Sequence, residues 1–408
     1  MNPAKLRLFY INFGHFIDHM LMLIFAKAAF NAGISFGIGK DMAYTEMIPY
    51  GIPSIILFGA CAPLAAFLAD KWNRSGMLTV FFFGIGLAAI LTGLAQSLLQ
   101  IGIGLALIGV FASIYHPVGI AMLIERGGKV GWILGMNGVW GNMGVAGAPL
   151  VTGFILAQYD WRMAFIIPGA VSIILGASYL AYTRKNLVRT ALTTENKKDQ
   201  IGFAPGWQRA LVSLALVTAA GGFVFGGMTF LLPRLFDVRM QGITTDIAVT
   251  GTLAAIIYVV AAFAQLVVGR QIDKRSIKHV LIFVACGQPL FLFLMAVYTD
   301  YSLFAVSLLA MGFVFGQIPI TDAVLSQYVP DQWRTKVLSI KFLINLLIGA
   351  ASLLTARYLL SSGSGFEPVM QALAISACIV AQKQTSKSFD LEKAKSYCQK
   401  EVKKMVNE

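Results

Sequence analysis

The chain has 408 residues, 57% hydrophobic and 12% charged, with a mean hydropathy of +0.74. Soluble domains carry about 25% charged residues, so this composition excludes an ordinary globular core. The net charge of +13 does not point to nucleic acid, because the basic residues fall in short loops between apolar runs, where membrane topology accounts for them.

Apolar runs of about 20 residues, each long enough to cross a bilayer as a helix, recur along the chain. They predict an all-α polytopic membrane protein; a β-barrel would show short alternating segments instead. Twelve spans are read at 8–30, 45–68, 77–96, 98–124, 131–157, 163–183, 208–233, 246–269, 278–299, 301–326, 337–360 and 366–381. The first run outlasts the apolar region of a signal peptide and lacks a small-residue cleavage site, so no cleavable leader is expected. Cys61, Cys286, Cys378 and Cys398 are scattered without a C-x-x-C spacing, which argues against a disulfide framework or zinc site.

The first span contains INFGHFIDHM. His15 and His19 are four residues apart and Asp18 is three from His15, so on a helix they share one face with Asn12. Such a face should turn from lipid towards a cavity. After the second span comes AAFLADKWNRSG, with Asp70, Lys71 and Arg74. The fourth span carries SIYHPVG. It runs opposite to the first, which places Tyr115 and His116 at the depth of His15, about 10 Å in at 1.5 Å per residue. The fifth span supplies Asn137 and the stretch GMNGVWGNMGVAGAPLVTG, with eight glycines or alanines in nineteen residues. Small residues let helix backbones approach closely.

The polar segment 184–207 divides the spans six and six. It is read as a cytoplasmic linker between an N-terminal bundle (1–183) and a C-terminal bundle (208–381), with a cytoplasmic tail at 382–408. In the second half, Arg234 is expected to snorkel near the outer end of the seventh span. Gln317, Asp322, Lys341 and Asn345 are the polar candidates of the tenth and eleventh spans, and Asp322 and Lys341 lie at similar depth and should pair. Of the 32 basic residues, 26 fall on one side when alternate loops are placed on opposite faces. That bias predicts both termini in the cytoplasm, with Lys27 among the six residues assigned to the outer side.

The halves repeat one another. Ala66-x-x-x-Asp70-Lys71 recurs as Gly269-x-x-x-Asp273-Lys274, followed by Arg275, at an offset of 203 residues, and Pro117 recurs as Pro319 at 202. Lys129-Val130 and Lys336-Val337 open the fifth and eleventh spans in the same order. Two parallel six-helix repeats are the plan of the major facilitator superfamily, and the chain resembles it over residues 1 to about 381. Its loop pattern G-x-L-A-D-R-x-G-R-R resembles Ala66 to Arg74, with Ala66 and Asn73 standing where the pattern has glycine. Its G-x-x-x-G-P-x-x-x-G pattern is similar to Gly144, Gly147, Pro149 and Gly153, with one residue inserted before the proline. DWRMAF (160–165) is similar to the start of the family's sixth helix, and SIYHPVG resembles the His-Pro element of fosmidomycin-resistance-type exporters.

That resemblance implies a transporter in the cell inner membrane, with Asp70, Lys71, Arg74, Gly269, Asp273, Lys274 and Arg275 holding the cytoplasmic side shut. It also implies that the first and fourth helices line a cavity. The expected function is secondary active transport of a small solute by alternating access, coupled to protons through Asn12, His15, Asp18, His19, Tyr115, His116 and Asn137. The same histidines leave a transition-metal or metallophore permease open as an alternative, and a structural hydrogen-bonded polar cluster as another. No G-x-x-x-x-G-K-[ST] motif suggests nucleotide use. A membrane enzyme using Asp18, His15 and His116 for acid–base work, or a sensor, is the competing class. The expected partners are solute, protons and the lipid bilayer, with no cofactor, no resident metal, no nucleic acid, and a monomeric state.

Overall fold

The computed structural model describes residues 3–124, 130–185 and 202–385. Most of the 184–207 linker, the tail beyond 385, Arg126 and Lys129 lie outside the described residues, as does the Asp273 side chain. The described residues are almost wholly helical. The elements are α1 (Pro3–Ser35), α2 (Ala43–Ala60), α3 (Ala62–Lys71), α4 (Arg74–Gly93), α5 (Leu98–Ala112), α6 (Tyr115–Ile124), α7 (Val130–Leu156) and α8 (Met163–Lys185). They continue with α9 (Trp207–Arg239), α10 (Ile247–Lys274), α11 (Ile277–Val297), α12 (Asp300–Tyr328), α13 (Asp331–Ser361) and α14 (Glu367–Thr385). Ten segments are long and apolar enough to cross a bilayer, with α5 and α6 counted as one; the bent pair α2–α3 makes an eleventh, and the shorter α14 completes twelve.

Two expected spans are broken, each for a local reason. The 45–68 run bends by 43° between α2 and α3, at Cys61, where Pro63 enters the first turn of α3. In the 98–124 run the helix is interrupted at Ser113 and Ile114. Pro117 has no N–H to give the Ser113 carbonyl four residues back, and its ring crowds that carbonyl. The helix restarts at Tyr115, so the proline places Tyr115 and His116 in the first turn of α6.

Of the described residues, those within Met1–Thr193 and Thr229–Val259 form one compact unit and those within Thr194–Met228 and Val260–Glu408 the other. In the first, α1 packs on α7, α2 on α5, and α4 on α8. Glycines make these seams close: a Cβ on Gly144 would run into the Phe16 carbonyl of α1, and one on Gly86 would lie 2.7 Å from the Gly169 carbonyl of α8. In the second unit α11 packs on α14 and α12, Gly222 of α9 abuts Asn345 of α13, and Gly316 of α12 meets Val268 of α10. First span with fifth, second with fourth and third with sixth is therefore the pairing rule in both repeats. The 229–239 part of α9 and the 247–259 part of α10 belong to the first unit.

Candidate functional site

The polar face of α1 meets α6 and α7 inside the first unit. Gly141 permits the approach, since a Cβ there would stand 2.5 Å from His15 Nε2. His15 is buried, and its Nδ1–H donates to the Asn137 carbonyl of α7 at 2.8 Å. That leaves His15 Nε2 as an acceptor for His19 Nε2–H at 3.1 Å. The His15 ring also stacks on Tyr115, with centroids 4.8 Å apart. Tyr115 Oη donates to the Ile11 carbonyl at 2.8 Å and accepts from Asn137 Nδ2 at 2.8 Å. Asn137 Nδ2 gives its other hydrogen to Asn12 Oδ1 at 2.9 Å.

Beside this satisfied web lies a group that is not satisfied. Asp18 has no exposed surface, and neither carboxylate oxygen accepts a hydrogen bond among the described residues. Its nearest charge partner is His116, with Nε2 3.7 Å from Oδ2. The His116 ring stands perpendicular to His15 at 5.1 Å and lies 5.4 Å from His19. The structure thus brings Asn12, His15, Asp18, His19, Tyr115, His116 and Asn137 into one cluster, buried except for the partly exposed His19 and His116. One nitrogen from each of the three histidines falls within a 4.8 Å span. Zinc–nitrogen bonds are about 2.0–2.1 Å, so holding an ion would require these rings to draw closer.

The other candidates sit elsewhere. Arg74 pairs with Asp70 at 3.3 Å on the exposed end of α3–α4, and Lys71 lies over the Phe67 ring at 4.6 Å. Lys274 and Arg275 are exposed at the end of α10, and a Cβ on Gly269 would meet nothing within 4 Å. Gly144 and Gly147 pack on Phe16 of α1, while Gly153 packs on the Ile247 carbonyl at the start of α10, 2.7 Å from where its Cβ would be, and Gly251 abuts the Pro149 carbonyl. In the second unit, Lys341 Nζ donates to Thr321 Oγ1 at 2.8 Å and to Asp322. Gln317 and Asn345 lie against Gly221 and Gly222 of α9.

Two basic residues make contacts that the sequence reading did not name. Arg234 is half-buried near the end of α9, with its guanidinium 3.6 Å from the centroid of the Phe30 ring. Lys27, one of the six basic residues outside the cytoplasmic set, has no side-chain exposure and is ion-paired to Asp237 of α9. The available signal was a lone lysine between Phe25-Ala26 and Ala28-Ala29, a charge inside an apolar run.

A doubled bundle of membrane-spanning helices, with ionisable groups sunk in the interior of its first unit, defines a polytopic membrane protein of the transporter type. Residues 11–354 match the description Major Facilitator Superfamily, and the chain belongs to that family, whose members are transporters and not enzymes. It is 28% identical over 244 residues to "Multidrug resistance protein MdtG" of Rahnella sp. (strain Y9602), covering 59% of each chain. It is 25% identical over 300 residues to "Probable sulfoacetate transporter SauU" of Cupriavidus necator, covering 66% of this chain and 67% of that one. The chain thus spans about three fifths of the length of the MdtG relatives it matches. Among solved structures, a D-xylose-proton symporter superposes with a TM-score of 0.74 at 14% identity, covering 96% of this chain and 98% of that one. A bacterial homolog of the human lysosomal transporter Spinster gives 0.69 at 15%, covering 97% and 96%. These two likenesses establish the fold.

Proposed function

We propose that the protein is a secondary active transporter, moving a small solute across the cell inner membrane by alternating access and coupled to protons at the cluster around Asp18. One observation carries the reading: a carboxylate without exposure and, among the described residues, without a hydrogen bond, faced by an imidazole at 3.7 Å. An uncompensated charge in such surroundings is costly, and ionisable groups inside membrane bundles mark ion and proton pathways. Carboxylate and imidazole are the side chains that most readily carry a transferable proton. The basic residues of the loops support termini in the cytoplasm, and the halves 1–183 and 208–381 are proposed as the moving bodies, with the Asp70 and Asp273 loops as the cytoplasmic gate. The chain is proposed to work as a monomer.

The test is uptake by proteoliposomes under an imposed pH gradient, screened over small organic solutes, anionic ones included. Asp18→Asn should lower gradient-driven accumulation at least about tenfold, a loss of roughly 1.4 kcal/mol of coupling, while downhill equilibration persists. Undiminished accumulation in Asp18→Asn and in the His15→Gln/His116→Gln double variant would remove the cluster from coupling. A transition-metal or metallophore permease is the second reading, favoured by the span of the three imidazole nitrogens. Stoichiometric metal in the purified protein, lost in His116→Gln, would establish it.

A further inference from the structure

Near its start, α1 is flanked by two helices and covered by neither. On one flank is α8: the Tyr10 and Ser178 hydroxyls share a hydrogen bond at 2.5 Å, and the Tyr10 ring lies 5.2 Å from Tyr179 and 5.7 Å from Tyr182. On the other flank is α7, where Trp140 packs on Phe13 with centroids 6.0 Å apart. Phe9 touches both flanking residues, 5.8 Å from Tyr10 and 5.5 Å from Phe13, yet it is exposed. Lys5, Phe9 and Phe13, at four-residue spacing, therefore form the floor of a groove between α7 and α8.

The groove is apolar along its length and cationic at its mouth. Met136 and Trp132, one and two turns from Trp140 towards the same end, are exposed on α7. On α8 the exposed Ala177 and Ala181 are too short to reach across Phe9. Lys5, Arg184 and Lys185 are exposed. The register set by Tyr10 against Ser178 and Tyr182 puts all three at one level, about 7 Å beyond the tyrosines at 1.5 Å per residue. Arg7 acts from behind on Tyr179 and Tyr182.

No acid balances this mouth from the helices that form it. None precedes Asp18 in α1, and α7 and α8 contain none; Asp70, at the end of α3, is paired with Arg74. Membrane topology requires basic residues at one interface, but it does not require an open aromatic channel beneath them. Basic pockets between membrane helices hold anionic head groups. The hydroxyl pair adds a polar contact at the right depth: with Tyr10 donating, the Ser178 hydroxyl keeps its hydrogen for an ester or phosphate oxygen.

We infer that this groove binds one anionic phospholipid, with an acyl chain along Phe9, Phe13 and Trp140, the phosphate at Lys5, Arg184 and Lys185, and an ester oxygen at Ser178. On the orientation proposed above the lipid comes from the cytoplasmic leaflet, but the site depends neither on that orientation nor on transport.

The experiment places the full chain in phosphatidylcholine nanodiscs and titrates in phosphatidylglycerol with brominated acyl chains, which quench tryptophan on contact. Each cation near the surface is expected to strengthen binding about fivefold, so phosphatidylglycerol should be preferred over brominated phosphatidylcholine on the order of 100-fold at low ionic strength. Lys5→Gln/Arg184→Gln/Lys185→Gln should bring the preference within about threefold of unity. Lys5→Arg/Arg184→Lys/Lys185→Arg should keep it. Trp132→Phe/Trp140→Phe should remove the saturable quenching. Arg209→Gln/Arg270→Gln/Lys336→Gln removes as much charge from exposed positions of the second unit and should leave the preference intact. No preference in the unaltered protein, or an equal loss in the second-unit triple, would overturn the site. So would saturable quenching that survives without Trp132 and Trp140. Relief of quenching by millimolar inorganic phosphate, or by loading two copies of the chain per disc, would overturn the lipid in favour of a small anion or a dimer. Absence of uptake for every solute would sink the transport reading and leave these titrations standing.

Discussion

Asn137 is the pivot of the buried web, because its amide donates to both Asn12 and Tyr115 while its carbonyl receives His15. Asn137→Ala removes two donors and leaves the backbone contact in place. The expected result is a loss of about 1 kcal/mol, the scale of a side-chain hydrogen bond between membrane helices, read as a lower unfolding temperature in detergent. Gly141→Ala puts a methyl group against the His15 ring. It should move the imidazole off the Asn137 carbonyl and cut gradient-driven uptake at least about tenfold, equivalent to 1.4 kcal/mol, with the α-helical circular dichroism retained. At this scale the sequence was readable where spacing does the work: His15, Asp18 and His19 share a face because 3.6 residues make a turn. The pairing of Lys27 was not readable, because charge counting names no partner and Asp237 lies 210 residues away with no local pattern to reveal it.

Two elements owe their shape to single residues. Pro117 ends α5 by depriving the Ser113 carbonyl of a donor, and the restart at Tyr115 aims Tyr115 and His116 at α1. Pro117→Ala restores that donor. It should raise the unfolding temperature while lowering uptake, since a straightened helix turns His116 from Asp18; lower stability together with unchanged uptake would contradict the assignment. Gly144 and Gly269 provide a matched pair. Gly144→Leu forces α7 from α1 and should cost about 1–3 kcal/mol, as overpacking does. Gly269→Ala has open space around the new carbon and should gain up to about 1 kcal/mol from helix propensity, both by thermal unfolding. Hydropathy alone did not reveal either helix break, because an average over 20 residues is blind to one missing N–H. The glycines were readable as packing residues, but which neighbour each one touches follows only from the packed helices.

At the scale of the whole chain, an offset of about 203 residues between matching loops made the duplication readable, and the shared pairing rule gives it structural form. The place of residues 229–259 within the first compact unit was not readable, since these contacts join segments far apart in sequence. A fragment ending at residue 193 lacks the carboxylate that meets Lys27, and a buried cation stripped of its partner costs about 3–5 kcal/mol. Expressed alone, that fragment should be degraded, and co-expression with residues 194–408 should rescue it, as judged by immunoblot and co-purification. The web around Asn137 has one more consequence. Two of its ends are main-chain oxygens, those of Ile11 and Asn137, which receive hydrogens and never pass them on. On that side the web is a cul-de-sac: in this arrangement a charge carrier beside Asp18 finds no onward path through Asn137, so reconstituted vesicles without solute should hold their electrical potential instead of leaking it away.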